Sequence, residues 1–369
     1  MSIFVSCGEA SGDAYGAGLL KALRDLGFDD RVWGMLGPKS QEAGGEALWP
    51  SSELSIVGAV EAVAALPRLL RLRGEIAKAA LAEKPRAVVV IDSPDFHIPL
   101  LKRLKKSGFD APIFYIAPPT IWAWRSGRAN VLKALDARCF PLFEFEHDNL
   151  RSHGLKSLWV GHPLLDDFAD YKPPQDLVSK LQGKDTVALL PGSRRSEVKR
   201  LLPVLEALVE PLEDLGYFPV FSVAPGLEEG SKSYLRRKLA GRRLYEGPGR
   251  DLIAASSCVV GASGTAAVEA MLLDRFMVVL YKSSWMNYAL FKLLVDIKWL
   301  SIPNILAWEE IYPEFLQARA RQELIISALK RYRNDAEAVH EKLARVRSLL
   351  GKQGAYRMWA RAVAESASP

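Results

Sequence analysis

Short, continuously apolar runs that stop at turn residues and are followed by amphipathic helical patterns recur along this chain, and that alternation restricts its fold more than any other feature. Such runs read as strands buried on both faces, which occur in parallel sheets covered by crossover helices. In the first half the strand candidates are 3–6, 31–35, 87–91, 113–116, 137–140 and 157–160, with helical stretches such as 16–26 and 69–82 between them. The pattern then restarts with 186–190, ending in Pro191-Gly192-Ser193, and continues through 218–223, 257–260 and 277–281. Between the halves, "DYKPPQD" at 170–176 has the proline and charge content of a linker. The expected fold is α/β, with two doubly wound Rossmann-like domains facing each other across a cleft. Their expected extents are residues 1–168 and 177–345, with a helical segment at 346–369 returning to the first domain. The stretch 334–366 reads as helix throughout, and a chain of 369 residues is long enough for two cores.

Ligands of open α/β sheets sit beyond the carboxyl ends of the strands, and four motifs fall there. "CGEASGD" at 7–13 is a glycine turn between strand and helix, where backbone amides usually cradle phosphate. It carries Glu9 and Asp13 and no base, so with Ser11 it is expected to face a neutral, hydroxyl-rich or amine-bearing group. "DSPDF" at 92–96 places Asp92 and Asp95 at one strand end, where either could instead cap the following helix. The second half supplies the contrast. "LLPGSRRSEV" at 189–198 sets Gly192, Ser193 and Arg194 at a helix start, a combination of free amides and guanidinium suited to phosphate. "GASGTAAVEAML" at 261–272 repeats the arrangement with Ser263, Gly264 and Thr265, and Glu269 lies one helical turn deeper, where a carboxylate can accept ribose hydroxyls. Joining a nucleotide half to a sugar half suggests glycosyl transfer, which needs a base at the attacking hydroxyl and positive charge at the departing diphosphate. Asp95 and Arg194 are the candidates.

Composition narrows the partners. Lys and Arg exceed Asp and Glu by 49 to 43, which favours anionic partners such as phosphates or anionic lipid. The basic residues do not form a stripe interleaved with stacking aromatics, so nucleic acid is not expected. Cys7, Cys139 and Cys258 show no CxxC or Cys/His spacing, which leaves no disulfide framework or zinc site and fits reduced thiols in the cytoplasm. No secretory leader or spanning segment is read. A nicotinamide-dependent oxidoreductase would require GxGxxG after a strand, and "CGEASGD" has the wrong glycine spacing.

Together "GEASGD", "DSPDF", "WAWR" (122–125), "VGHPL" (160–164), "LLPGSR", "SGTAAVE" and "PNIL" (303–306) resemble the lipid-A-disaccharide synthase family, in the family's order from residue 3 to about 317. The resemblance implies the GT-B glycosyltransferase fold and transfer of 2,3-diacylglucosamine from its UDP derivative to 2,3-diacylglucosamine 1-phosphate, with inversion, release of UDP, and no metal or cofactor. It implies Asp95 as base, Arg194 as a diphosphate ligand, Glu269 as a nucleotide ligand and Asn304 as a residue of the same cleft. A UDP-N-acetylglucosamine 2-epimerase shares the nucleotide half and is the rival reading.

Two positions depart from the family pattern: His97 stands where Asn usually follows "PDF", and Trp308-Glu309 replace a more usual Gly-Arg. His97 could supply a second basic group beside Asp95 or, as lone histidines more often do, serve a structural role. A diacylated substrate also calls for contact with a bilayer. The segment 66–84, with Leu66, Leu69, Leu70 and Leu72 among Arg68, Arg71 and Arg73, and the segment 285–300, with aromatics among lysines, both have the composition of interfacial helices. Core-facing helices with a solvated basic edge have the same composition. The expected partners are therefore the two sugar lipids and the inner face of the cytoplasmic membrane, with a second copy of the chain, as a homodimer, among the candidates.

Overall fold

The computed structural model describes residues 2–8, 10–54, 59–122, 125–284, 288 and 298–367. Glu9, two residues of "WAWR" and most of 285–300 lie outside the described residues. The chain divides into two compact units: unit 1 is Met1–Ala169 with Leu350–Pro369, and unit 2 is Asp170–Leu349.

Unit 1 holds a parallel sheet of β1 (Ser2–Cys7), β2 (Arg31–Leu36), β3 (Glu46–Pro50), β4 (Ala87–Ile91), β5 (Ile113–Ile116), β6 (Arg138–Phe140) and β7 (Lys156–Ser157). Its strand order is β3-β2-β1-β4-β5-β6-β7. The connecting helices are α1 (Ala10–Asp25), α2 (Pro38–Glu42), α3 (Ala59–Glu83), α4 (Pro94–Lys106), α5 (Arg128–Ala134), α6 (Glu144–Ser152) and α7 (Leu164–Asp167). Unit 2 repeats the plan. Its parallel strands β8 (Thr186–Leu190), β9 (Phe218–Val223), β10 (Leu244–Glu246), β11 (Cys258–Ala262), β12 (Phe276–Tyr281) and β13 (Glu314–Leu316) lie in the order β10-β9-β8-β11-β12-β13. Around them run α8 (Gln175–Leu181), α9 (Arg195–Ala207), α10 (Val209–Asp214), α11 (Glu229–Lys238), α12 (Gly249–Ala254), α13 (Thr265–Leu272), α14 (Ile302–Ala307) and α15 (Gln322–Ser348). The chain then re-enters unit 1 through α16 (Ala355–Ala367). Each sheet starts at its centre, winds to one edge and returns past its first strand. The order therefore reverses between β1 and β4 in unit 1 and between β8 and β11 in unit 2, where doubly wound folds bind ligands.

Alternation along the strands builds a core on each face of the first sheet. Phe4, Trp33, Val88, Val90 and Tyr115 face α3 and α4 through Ile76, Ala80, Ile98 and Leu101. Ile3, Val5, Val89, Ile91 and Phe114 face α1 and the returning α16 through Leu19, Leu23, Tyr356, Trp359 and Val363. Trp359 stacks on Phe140 at 6.2 Å. A Cβ at Gly18 of α1 would stand 2.3 Å from the Tyr356 ring, so this glycine admits α16.

Residues 334–366 are not one helix. The run breaks at 349–354 between α15 and α16, where Gly351 and Gly354 take φ of 82° and 110°. The expected strand at 157–160 stops at Ser157. Gly161 instead bridges Gly351, His162 N donates to Leu350 O at 2.8 Å, and Asp166 accepts the amides of Gly354 and Tyr356 at the start of α16. The "VGHPL" motif thus belongs to the clasp that receives the returning chain. Cys7, Cys139 and Cys258 are buried, and burial pushes each thiol up to about 12, which leaves them un-ionised and inert.

Candidate functional site

In unit 1 the turns after β1 and β4 touch. Gly8 N donates to Ile91 O at 3.2 Å, and a Cβ on Gly8 would lie 2.0 Å from Ser93 Oγ. The glycine of "CGEASGD" is therefore required by the close approach of "DSPDF". Asp92 and Ser93 are both left-handed, with φ of 57° and 45°, conformations that cost non-glycine residues on the order of 1 kcal/mol or more each. The reversal they make starts α4 at Pro94 and sets Asp95 in its first turn. The Asp95 side chain is 72% exposed. Its Oδ1 accepts Arg125 Nη1 at 2.8 Å and is bonded also by Arg128, while its Oδ2 has no hydrogen bond among the described residues. An exposed pair such as that with Arg125 contributes about 0–1 kcal/mol to stability, so its main effect is to aim the carboxylate, which Arg128, 12% exposed, holds from the protein side.

Behind this turn lies a buried polar network. The Asp92 carbonyl accepts two bonds, from His97 Nδ1 at 2.7 Å and from the Tyr115 hydroxyl at 3.0 Å. A carbonyl only accepts, so Nδ1 carries the ring proton and Nε2 accepts from the Ser6 hydroxyl at 2.8 Å. Ser6, His97 and Tyr115 are all fully buried, and burial pushes His97 down to about 4, keeping the ring neutral. Of the two readings of His97, the structural one fits: the ring is sealed from solvent and both nitrogens are engaged.

Asp13 is 3% exposed. Its carboxylate accepts Gly37 N at 3.0 Å, Ser40 N at 3.1 Å and Lys39 N at 2.9 Å, at the start of α2. It anchors that helix. Ser11 is part-buried in the first turn of α1, and the Asp92 side chain is also part-buried. Sequence reasoning gave no role to Ser6, Tyr115, Arg125 or Arg128. Nothing in local spacing ties Arg128 to an aspartate 33 residues earlier; only the shared strand ends do.

In unit 2, Gly192 turns the chain at φ 111°. The amides of Ser193 and Arg194 then donate to Glu197 Oε2 at 3.1 and 3.3 Å, and Arg194 Nη1 lies 3.6 Å from Glu197 Oε1. The chain's own carboxylate thus sits where amides and the dipole of α9 favour an anion. Glu197 was absent from the expected site, although a glutamate at the third helical position is a capping-box signal. At the neighbouring strand end, after β11, Ser263 is part-buried and Gly264 and Thr265 are exposed, with Glu269 part-buried one turn into α13.

Asn304 is fully buried. Its Nδ2 donates to Tyr312 O and Glu314 Oε1, and its Oδ1 accepts Ile311 N and Tyr312 N, at 2.7–2.9 Å. Two donors and two acceptor sites are all an amide offers. Asn304 therefore staples α14 to the approach of β13, with both donors and both acceptor sites of its amide engaged.

The model of the lipid-A-disaccharide synthetase family matches residues 3–365. The chain belongs to that family. It is 36% identical over 368 residues to the lipid-A-disaccharide synthase of Anaeromyxobacter dehalogenans strain 2CP-1, covering 96% of this chain and 94% of that protein. To the Myxococcus xanthus synthase it is 34% identical over 380 positions, covering 100% and 98%. Among solved structures it is similar to the UDP-GlcNAc 2-epimerase of Methanocaldococcus jannaschii in complex with UDP-GlcNAc and UDP, with a TM-score of 0.62, 16% identity, and 99% and 100% of the two chains covered. That likeness concerns the fold, the GT-B pair of Rossmann-like units.

Within the lipid-A-disaccharide synthetase family pattern, the two departures now have locations. His97 lies inside the network behind Asp95. Glu309 pairs with Lys342 and Arg345 of α15, which hold its carboxyl below the usual range, Lys342 foremost. Trp308 caps α14 in the left-handed region at φ 54°, is 81% exposed, and meets Trp299 edge-on at 6.2 Å.

Proposed function

We propose that the chain transfers 2,3-diacylglucosamine from its UDP derivative to a hydroxyl of 2,3-diacylglucosamine 1-phosphate, giving the lipid A disaccharide 1-phosphate and UDP, with unit 1 serving the acceptor and unit 2 the donor. Family membership makes it a UDP-sugar-dependent glycosyltransferase of lipid A biosynthesis. Asp95 Oδ2 takes the proton of the attacking hydroxyl while the new bond to the anomeric carbon forms. The bond from that carbon to the diphosphate breaks on the opposite side, its electron pair leaving with UDP, so the configuration inverts. Arg194, with the amides after Gly192 and those at Ser263, Gly264 and Thr265, meets the charge that develops on the leaving group. Glu269 accepts the ribose hydroxyls. The observation that carries the reading is the Asp95 carboxylate at the strand-order reversal, one oxygen held by two guanidinium groups and the other open among the described residues.

The same reading seats the chain on the anionic inner face of the cytoplasmic membrane. Among the described residues no helix is long and apolar enough to cross a membrane. On α3, Leu66 and Leu70, one turn apart, are 48% and 53% exposed, whereas Leu72 is buried and Leu69 packs against the core. The exposed pair, flanked by Arg68 and Arg71, is the proposed contact.

Purified chain given both sugar lipids is expected to yield one UDP per disaccharide 1-phosphate by mass spectrometry. Conversion of UDP-N-acetylglucosamine to its 2-epimer without acceptor, and no disaccharide, would overturn the assignment.

A further inference from the structure

We infer that His97 is a positioning residue for Asp95, acting through the carbonyl of Asp92. The inference rests on the reading of Asp95 as the base. The peptide plane between Asp92 and Ser93 is gripped from two sides, by His97 of α4 and by Tyr115 of β5, which together fill both acceptor positions of one carbonyl. His97 is itself fixed by Ser6 of β1. Three elements thus converge on the plane from which α4 departs.

The first turn of the helix hangs on the next carbonyl, since Ser93 O accepts both Phe96 N and His97 N at 3.0 Å. Asp95 lies between these anchors. Asp92 and Ser93 are held in the left-handed region, which non-glycine residues leave when nothing constrains them. With the His97 bond removed, rotation of that plane relaxes the turn and shifts Asp95 Oδ2, whereas the buried volume of residue 97 can be kept by another ring. An asparagine at this position offers a donor toward the carbonyl on a shorter arm. This gives the histidine a reason to stand there without any proton transfer of its own.

The test is a double-mutant cycle read by kcat, acceptor KM and UDP affinity. His97→Phe should lower kcat by roughly 10- to 100-fold, the range that a small misplacement of a catalytic group produces, with UDP affinity unchanged. His97→Asn should restore the rate to within about threefold of wild type. Placed on Asp95→Asn, His97→Phe should cost no further activity, because the group it positions is already disabled. An equal loss in both backgrounds would overturn the inference and leave the base assignment intact. An Asp95→Asn enzyme with wild-type turnover would overturn both. Should His97→Phe fail to fold, Ser6→Ala, which frees the ring while retaining it, is expected to lower kcat severalfold with the same lack of additivity, and additive loss would overturn the inference.

Discussion

In the proposed reaction, Asp95 and Arg194 carry the two decisive roles, the base and the diphosphate ligand. Asp95→Asn keeps size and hydrogen bonding while removing proton acceptance, so turnover should fall by roughly 10²–10⁴ with UDP affinity little changed; steady-state kinetics beside calorimetry check this. In the turn proposed to hold phosphate, two substitutions should act with opposite sign. Arg194→Ala should weaken UDP binding by about 1.5–3 kcal/mol. Glu197→Ala, by vacating the amides of Ser193 and Arg194, should tighten it by about 0.5–1.5 kcal/mol while costing about 1 kcal/mol of stability through the lost cap. Titration calorimetry reads the first pair of effects and denaturant unfolding the last. Unchanged UDP affinity in Glu197→Ala would mean that nucleotide and carboxylate do not compete. At this scale the sequence discloses which chemical group stands at a strand end, but not whether its hydrogen bonds are already engaged. Asp13 and Asn304 look as available as Asp95 in the sequence, and both are engaged by backbone or side-chain partners distant from any motif.

Among the elements, the central strands were legible because burial on both faces leaves an uninterrupted apolar run, as in β4, β5, β8 and β9, whose bounds agree with those read from sequence. The edge strands β3, β10 and β13 were missed. Each is short and partly exposed, and β3 alternates between exposed and part-buried residues, so no such run betrays it. Helix α3 shows a second limit: Leu66, Leu69, Leu70 and Leu72 look equivalent in sequence, yet packing divides them between core and surface. Changing Leu66 and Leu70 to Gln removes the exposed pair and should lower affinity for anionic vesicles at least about tenfold, since each leucine buried in the interface contributes on the order of 1.5–3 kcal/mol. Arg68 and Arg71 already pair with Glu53 and Glu75, so their replacement by Gln should cost less. Co-sedimentation with vesicles ranks the variants; equal binding of the leucine variant and wild type would exclude this face.

For the whole molecule, the assignment of α16 to unit 1 makes the stability of that unit depend on the far end of the chain. Trp359→Ala should destabilise unit 1 by about 3–5 kcal/mol and leave unit 2 little changed, so calorimetry should show one of two transitions moving. Acid should act on the same unit. Burial pushes His97 down to about 4 and His162 down to about 3, so below an unfolded-state value near 6.5 the unfolded chain binds more protons than the folded one. Stability is then fully present above about pH 6.5 and declines toward pH 4 and below, by on the order of 3 kcal/mol for each histidine. Urea unfolding of wild type and His97→Asn between pH 7 and 4.5 should give a shallower decline in the variant. The return of α16 also inverts the order of biosynthesis. Unit 2 is one unbroken stretch and can fold once it leaves the ribosome, whereas the first 169 residues wait for Trp359 while the intervening chain is made, roughly 10–40 s at ordinary rates of translation. During that interval the nascent protein shows the open face of its first sheet, the kind of surface that chaperones hold.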